Sequence, residues 1–353
     1  MNEAGFLRLV RGETRGVLAS LARLGLSLIS FPYGVIIRLR NLAFDRGWKA
    51  SHRVGVPVIA VGNLTLGGTG KTPMVEWIGR WFRRHDLRVA ILSRGYGDTA
   101  GMNDEGRVLE ENLPEVPHLQ GADRVALART AVEELASEIL ILDDGFQHRR
   151  LARDLDIVLL DALDPFGLGS IFPRGLLREP VRSLKRAGVV VLSRADLVDE
   201  ATRLSIRRRA EKSAGPLRWI EARHAPLDLI DAELGSFSLE SLTGQKVAAF
   251  CGIGNPEGFR RTLAGLGVDL VDFRAFPDHH AYTGPDVADL SRWVRDLGAE
   301  LALTTQKDLV KLRTSSLGPV PLRALRIGLE IMEGAEVLEQ ALSELLPSGK
   351  DAP

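Results

Sequence analysis

Val58-Ile59-Ala60-Val61-Gly62-Asn63-Leu64-Thr65-Leu66-Gly67-Gly68-Thr69-Gly70-Lys71-Thr72-Pro73 reads as an apolar strand, a glycine-rich turn and the start of a helix extending to about Arg84. A phosphate-binding loop works in that setting. Glycines let backbone N–H groups converge on an anion, the helix N-terminus adds positive potential, the lysine reaches outer phosphates and the following threonine can ligate magnesium. The strict spacing asks for glycine five residues before Gly70, and that position is Thr65. What remains is GGTGKT in the right place, which assigns Thr65, Leu66, Gly67, Gly68, Thr69, Gly70, Lys71 and Thr72 to nucleotide binding.

Outward from this loop the pattern is regular. Strands are expected at Arg88–Leu92, Ile139–Leu142, Ile157–Leu160 and Val189–Leu192, with a helix over roughly Ala122–Ala136 and a polar loop after the second strand. The rhythm breaks around 215–243. It resumes with strands at Val247–Phe250, Leu270–Phe273, Leu301–Thr304 and Leu325–Ile331, and with helices near Phe259–Leu266, after Pro285 and from Gly334. Strands alternating with helices at about 30-residue spacing predict βαβ units and a parallel sheet. Ligands in such sheets bind beyond the carboxyl ends of the strands.

Strand-end residues are therefore the candidates. Asp143-Asp144 is placed to organise magnesium, and Gln147 and His148 follow in the same loop. Asp104-Glu105 and Asp278-His279-His280 offer a carboxylate and a histidine for accepting an alcohol's proton. Each has a plainer reading, as a solvated loop acid and as a fortuitous histidine pair. Pro173-Arg174-Gly175-Leu176-Leu177-Arg178-Glu179-Pro180 supplies arginines able to clamp phosphate, unless Arg178 pairs with Glu179. Lys307, in Thr304-Thr305-Gln306-Lys307-Asp308, can add charge. Ser193-Arg194-Ala195-Asp196 only partly echoes a guanine-reading motif and reads better as a strand-end turn.

The chain has 353 residues, one of them cysteine (Cys251), which excludes a disulfide framework and a cysteine-rich zinc site. With 46 basic and 46 acidic side chains the formal charge is zero, which argues against nucleic acid as a partner. The charges are not evenly spread. Residues 1–57 hold nine Lys or Arg against three acids, +6, so the remainder carries −6. The prefix is also apolar. Leu24–Ile37 is uncharged for 14 residues, short of the roughly 18 that suggest a spanning helix, and Pro32 and Gly34 are expected to interrupt it. It is either a helical arm packed on the body with solvated arginines, or an element lying in a membrane surface with arginines on anionic headgroups.

The succession GNLTLGGTGKTP, SRGYG, DDGFQHRRLARDLDIVLLDA, PRGLLREP, GIGNPEGF, FPDHH and TTQKDLVKL resembles the tetraacyldisaccharide 4'-kinase family of lipid A biosynthesis. The likeness runs from about residue 30 to 330. It implies an α/β fold: a P-loop NTPase-type parallel sheet core over 51–225, a smaller C-terminal α/β domain over 226–353 closing the cleft, and an N-terminal membrane-facing helical segment over 1–50. It further implies ATP and Mg2+ as cofactors and an acylated glucosamine disaccharide 1-phosphate as acceptor. The expected setting is an anionic membrane surface at the cytoplasmic face of the bacterial inner membrane, with the protein acting as a monomer. By motif position it makes Asp104 the base, assisted by His279 (His280 second). Lys71, Asp144 and Arg178 serve the active centre, Thr72, Asp143 and Asp144 the metal, and Tyr96, Gln147, His148 and Arg178 the substrate.

Four positions depart from the family pattern. Asn103 and Gly106 replace the glycine and proline flanking Asp-Glu, Arg174 replaces a small alanine, and Gln306 replaces a glutamate, removing a charge. A nucleotide-operated membrane switch that leaves lipid unmodified is the alternative. Its deviant loop would carry lysine where Leu66 stands.

Overall fold

The structure, a computed structural model, describes residues 3–95 and 104–347. Tyr96 and Asn103, both singled out from sequence, lie outside the described residues. Along the chain run α1 (Glu3–Arg11), α2 (Val17–Asp45), β1 (Val58–Asn63), α3 (Lys71–Arg84), β2 (Val89–Ser93), α4 (Asp104–Asn112), β3 (His118–Gln120) and α5 (Arg124–Glu133). There follow β4 (Ile139–Asp143), β5 (Leu155–Asp161), β6 (Val189–Ser193), α6 (Glu200–Ala214), β7 (Trp219–Ile230), β8 (Ser236–Phe237) and β9 (Lys246–Cys251). The last elements are α7 (Pro256–Gly265), β10 (Asp269–Ala275), α8 (Gly284–Asp296), β11 (Leu301–Thr305), α9 (Gln306–Leu312), β12 (Ser316–Leu317), β13 (Val320–Glu333) and α10 (Ala335–Ser343).

These form two compact units. The first holds Met1–Arg94, Val116–Arg223 and Glu330–Pro353; the second holds Gly95–Glu115 and His224–Leu329. Three differences from the sequence's expectation follow. The stretch around 215–243 is no pause in the pattern, because it carries the twelve-residue strand β7, in which the unit boundary falls. The C-terminal helix α10 belongs with the first unit. The polar loop after β2 contains α4, which belongs with the second.

In the first unit the strand order is β7-β6-β5-β1-β4-β2-β3, every neighbour parallel. β1 sits between β5 and β4 and is buried at all six positions, so its continuous apolar run reads as a strand covered on both faces. The second unit orders β10-β9-β11-β13, also parallel, around a core that includes Phe250, Trp293 and Leu303.

α2 departs from expectation more sharply. It runs unbroken for 29 residues with Pro32 inside. A proline there removes one backbone bond and crowds the turn before it. The Ser30 hydroxyl lies 2.9 Å from Leu26 O and 3.0 Å from Ile171 O, and accepts the Arg174 N–H at 2.8 Å, so that turn is tied to the 171–174 loop. Gly34 is a close approach, since a Cβ there would stand 3.3 Å from Ile171 Cδ1. Arg174 braces α1 by donating to Val10 O at 3.1 Å. Away from these contacts Leu18, Leu21, Leu24, Leu28 and Phe31 are each more than half exposed. The helix is long and apolar enough to cross a membrane, and only 11 % of its most apolar 18-residue window is buried.

Gly62 and Gly145 let β1 and the loop after β4 touch. A Cβ on Gly62 would lie 2.6 Å from Phe146 Cβ, and one on Gly145 would lie 2.6 Å from Leu142 Cβ. Gly62→Ala is expected to lower unfolding stability by about 1–3 kcal/mol, the usual range for overpacking. Gly68→Ala, with nothing within 4 Å, serves as the control. Urea denaturation of both variants checks this, and equal midpoints would contradict it.

Candidate active site

The first unit supplies a nucleotide half. Gly67 (φ 106°) and Gly70 (φ 83°) take left-handed backbone conformations, and Gly70 caps α3 so that Lys71 is its first residue. Asn63 pins the loop from within, its amide donating to Thr69 Oγ1 at 3.0 Å. From outside, Leu66 N–H donates to Leu176 O at 2.8 Å and Arg178 N–H to Leu64 O at 2.7 Å, so the PRGLLREP loop lies along the phosphate loop. Arg194 donates to Gly68 O at 3.1 Å while pairing with Asp161. The Ser-Arg-Ala-Asp turn therefore buttresses the phosphate loop.

Asp144 gathers the cations. Arg178 donates to both its oxygens, at 3.0 and 2.8 Å, and Lys71 Nζ stands 3.6 Å away. Burial works to raise the Asp144 pKa, but Lys71 and then Arg178 outweigh it and hold the carboxyl below its ordinary value. Glu179 does not compete for Arg178. It accepts from Asn41 at 2.8 Å and Arg186 at 2.9 Å. Asp143, opposite Val61 in the β1–β4 register, is buried. Gln147 donates to Asn63 O at 2.9 Å. Burial, then Arg124, Arg150 and Arg153, push the His148 pKa down to about 4, so its imidazole is neutral near pH 7.

Among the described residues no group of three or more His, Cys, Asp or Glu is arranged to hold a metal ion. The nucleotide half offers the Thr72 hydroxyl and the Asp143 carboxylate, at the start of α3 and the end of β4. That suits a hard cation that takes one or two protein oxygens and fills its shell with phosphate and water. Both oxygens of Asp144, also expected as a ligand, are already engaged by Arg178.

The second unit supplies a carboxylate–imidazole pair. Asp104 begins α4, and its Oδ2 lies 2.9 Å from His279 Nδ1. His279 has φ 56° and donates its N–H to Gly252 O at 3.1 Å, which turns adjacent histidines to different partners. His280 stacks on Phe276 and lies 3.2 Å from Asp286, the residue that closes the cap of α8. The structure thus pairs Asp104 with His279 and gives His280 a structural setting.

Sequence reading missed Lys311. Its Nζ lies 3.8 Å from Asp104 Oδ2 and 3.2 Å from Asp308 Oδ1, and Asp308 is fully buried, accepting from Gly252 N–H at 3.0 Å and Thr305 Oγ1 at 2.6 Å. The signal was the helical spacing of Asp308 and Lys311, hidden because α9 read as a strand-end cluster. Lys307 pairs with Glu105 at 2.5 Å. Gln306 is buried in a reciprocal amide pair with Asn112, at 2.9 and 3.1 Å, and donates to Glu111 at 3.1 Å. Cys251 is buried, and burial followed by Asp308 pushes its thiol up to about 12, so it is unreactive.

Known proteins match this arrangement across nearly the whole chain. The family model described as tetraacyldisaccharide-1-P 4'-kinase matches residues 22–347. The tetraacyldisaccharide 4'-kinase of Anaeromyxobacter sp. strain K is 43 % identical over 97 % of this chain and 96 % of its own. That of Syntrophus aciditrophicus is 38 % identical over 92 % and 93 %. The crystal structure of LpxK from Aquifex aeolicus in complex with ATP superposes with a TM-score of 0.73 at 30 % identity, covering 92 % of this chain and 99 % of that one. The phosphate loop and the Asp104–His279 pair therefore sit in a chain that belongs to the tetraacyldisaccharide-1-P 4'-kinase family.

Proposed function

We propose that the chain transfers the γ-phosphate of ATP to the 4'-hydroxyl of a tetraacylated glucosamine disaccharide 1-phosphate. The observation that carries this reading is the pairing of Asp104 with His279 in a chain whose other unit holds Lys71, Asp144 and Arg178 around a phosphate loop. A nucleotide switch needs the second set but has no use for a proton acceptor. The family relationship likewise favours the kinase.

Phosphoryl transfer demands positioning and charge stabilisation more than covalent chemistry. The N–H groups of Gly67–Thr72 cradle the phosphates, and Lys71 neutralises charge that develops on the transferred group. Arg178, lined up on Asp144 beside Lys71, adds a second cation. The Thr72 hydroxyl and the Asp143 carboxylate would hold Mg2+, which would supply further charge neutralisation. The Asp104–His279 pair accepts the hydroxyl proton, the hydrogen bond between them orienting the acceptor. Lys311 stands between the carboxylates of Asp104 and Asp308 and offsets their charge. Neutral His148 and Gln147 act as hydrogen-bonding groups toward the sugar.

The exposed apolar face of α2, beside the arginines of the prefix, is read as the surface that meets an anionic membrane, at the cytoplasmic face of the inner membrane.

Two measurements test the reading. Incubation with ATP, Mg2+ and the disaccharide 1-phosphate in detergent is expected to give a second phosphomonoester resonance by 31P NMR, on the 4' position. Hydrolysis of ATP without that product would overturn it. Replacing Leu18, Leu21, Leu28 and Phe31 together by glutamine is expected to cut binding to anionic vesicles by more than about tenfold, since each buried apolar side chain contributes about 1.5–3 kcal/mol. ATP affinity should be unchanged. Undiminished vesicle binding would contradict the membrane role of α2.

A further inference from the structure

Within the first unit, the loop between β5 and β6 has two faces. One touches the N-terminal helices. Phe172 lies between Phe6 of α1 and Tyr33 of α2, its ring centroid 6.1 Å from each. Ser30 of α2 accepts the Arg174 N–H at 2.8 Å, and the Arg174 guanidinium donates to Val10 O at 3.1 Å. The other face lies on the phosphate loop. Leu66 N–H donates to Leu176 O, Arg178 N–H donates to Leu64 O, and Thr65 forms a β-bridge with Leu177. Between the two faces the loop is knitted by its own backbone. Phe172 N–H donates to Leu177 O at 2.9 Å, Leu177 N–H to Ser170 O at 3.1 Å and Leu176 N–H to Gly167 O at 2.9 Å, and the Leu177 side chain is buried. Arg178, which holds both oxygens of Asp144, follows Arg174 by four residues. Close-packed structure transmits strain rather than absorbing it, so a shift at Phe172 or Arg174 reaches Arg178 and Leu66.

Coupling between sites needs an element with two arrangements, and α1 supplies it. At nine residues it is shorter than the roughly 12–15 at which a helix begins to hold itself in water. Its seat depends on few contacts. Arg23 of α2 donates to Thr14 O at 2.9 Å and to Leu9 O at 3.4 Å, and Arg174 and Phe172 hold it from the body. α1 carries Arg8 and Arg11 in its last turn, and the start of α2 beyond it exposes Val17, Leu18 and Leu21 by more than half. An anionic lipid surface takes up both the cations and the apolar side chains, so it binds the seated hairpin better than a frayed one. A ligand shifts a conformational equilibrium by the difference in its affinity for the two states.

We propose that an anionic lipid surface activates the ATP site through this relay: seating the α1–α2 hairpin fixes the 171–178 loop, and the loop fixes Arg178 and the phosphate loop. Arg174 is the positioning residue that joins the hairpin to the loop. The inference rests on the membrane reading of α2 and adds to it a regulation of the nucleotide half. Arg174 stands where the family pattern has a small alanine, so its removal tests the relay at a position that accepts the smaller side chain.

The test measures the affinity of the full chain for a fluorescent, non-hydrolysable ATP analogue, with and without vesicles of phosphatidylglycerol and phosphatidylcholine. No disaccharide is present, so access to the acceptor plays no part. Cosedimentation reports vesicle binding in parallel. For wild type, saturating vesicles are expected to tighten nucleotide binding by about fivefold or more, the range usual for coupled sites. Arg174→Ala is expected to bind vesicles, and to bind nucleotide without them, as wild type does, the latter showing that it is folded. Its gain from vesicles should fall below about twofold, outside the range of coupled sites. Arg23→Gln, which unties α1 from α2 without touching the loop, is expected to lose the gain in the same way. An undiminished gain in either variant, or wild-type affinity indifferent to vesicles that the protein binds, overturns the proposal. Failure of wild type to bind vesicles would overturn the membrane reading itself and this proposal with it, and shows in cosedimentation rather than in nucleotide affinity.

Discussion

One half-buried carboxylate draws the nucleotide half together. Asp144 holds Arg178 through both oxygens and Lys71 at 3.6 Å, and each partner comes from a different strand-end segment. Without the carboxylate two cations would be left close together in a partly dry place, and without the cations a half-buried charge would be stranded. Breaking such a pair from one side is destabilising, because the remaining charge is left partly desolvated and unpaired. The pairing fixes where Lys71 points before any phosphate arrives. It also seats the PRGLLREP loop, whose backbone runs along the phosphate loop from Leu64 to Leu66. The tight glycine contacts at Gly62 and Gly145 follow from the same requirement, since β1 and the Asp144 loop must touch for the carboxylate to reach.

The second unit solves a related problem with the same means. Lys311 Nζ lies 3.8 Å from Asp104, and the fully buried Asp308 anchors the lysine. The direction of Asp104 is set by His279, whose left-handed backbone turns the imidazole toward α4. A chain of ion pairs and backbone bonds thus positions the Asp104 carboxylate on short elements with little apolar content of their own.

Much of this was legible in the sequence because the parallel strands are covered on both faces and announce themselves as apolar runs. β1, β4, β5, β6 and β9 are nearly uniformly buried, and each lies within a residue or two of its expected place. Elements stabilised by polar contacts were harder to see. α4 reads Asp-Glu-Gly-Arg-Val-Leu-Glu-Glu-Asn and buries few apolar side chains, so it looked like loop. α9 was hidden by its length of seven residues. The expected break at Pro32 failed because Ser30 bonds to a loop more than a hundred residues away, and no local pattern reports that. Asp104, His279, Lys71 and Arg178 were readable as residue types at strand ends. Which histidine faces the carboxylate depended on the backbone conformation at 279, and the brace of Arg174 on α1 depended on tertiary packing.

The neutral total charge conceals an uneven distribution, and the structure gives it a physical sense. Most of the basic prefix folds into α1 and α2, with apolar side chains outward, Arg40 bonded to Gln147 and Arg23 holding α1 against α2. The proposed mechanism divides the labour: the first unit holds ATP, and the Asp104–His279 pair acts only in the transfer step. The most direct test measures ATP affinity and turnover separately in Lys71→Met and Asp104→Asn. The account predicts that Lys71→Met weakens ATP binding and abolishes turnover, while Asp104→Asn binds ATP as wild type does and loses about two to four orders of magnitude in kcat. Near-normal turnover in Asp104→Asn, or equal loss of ATP affinity in both variants, would contradict it.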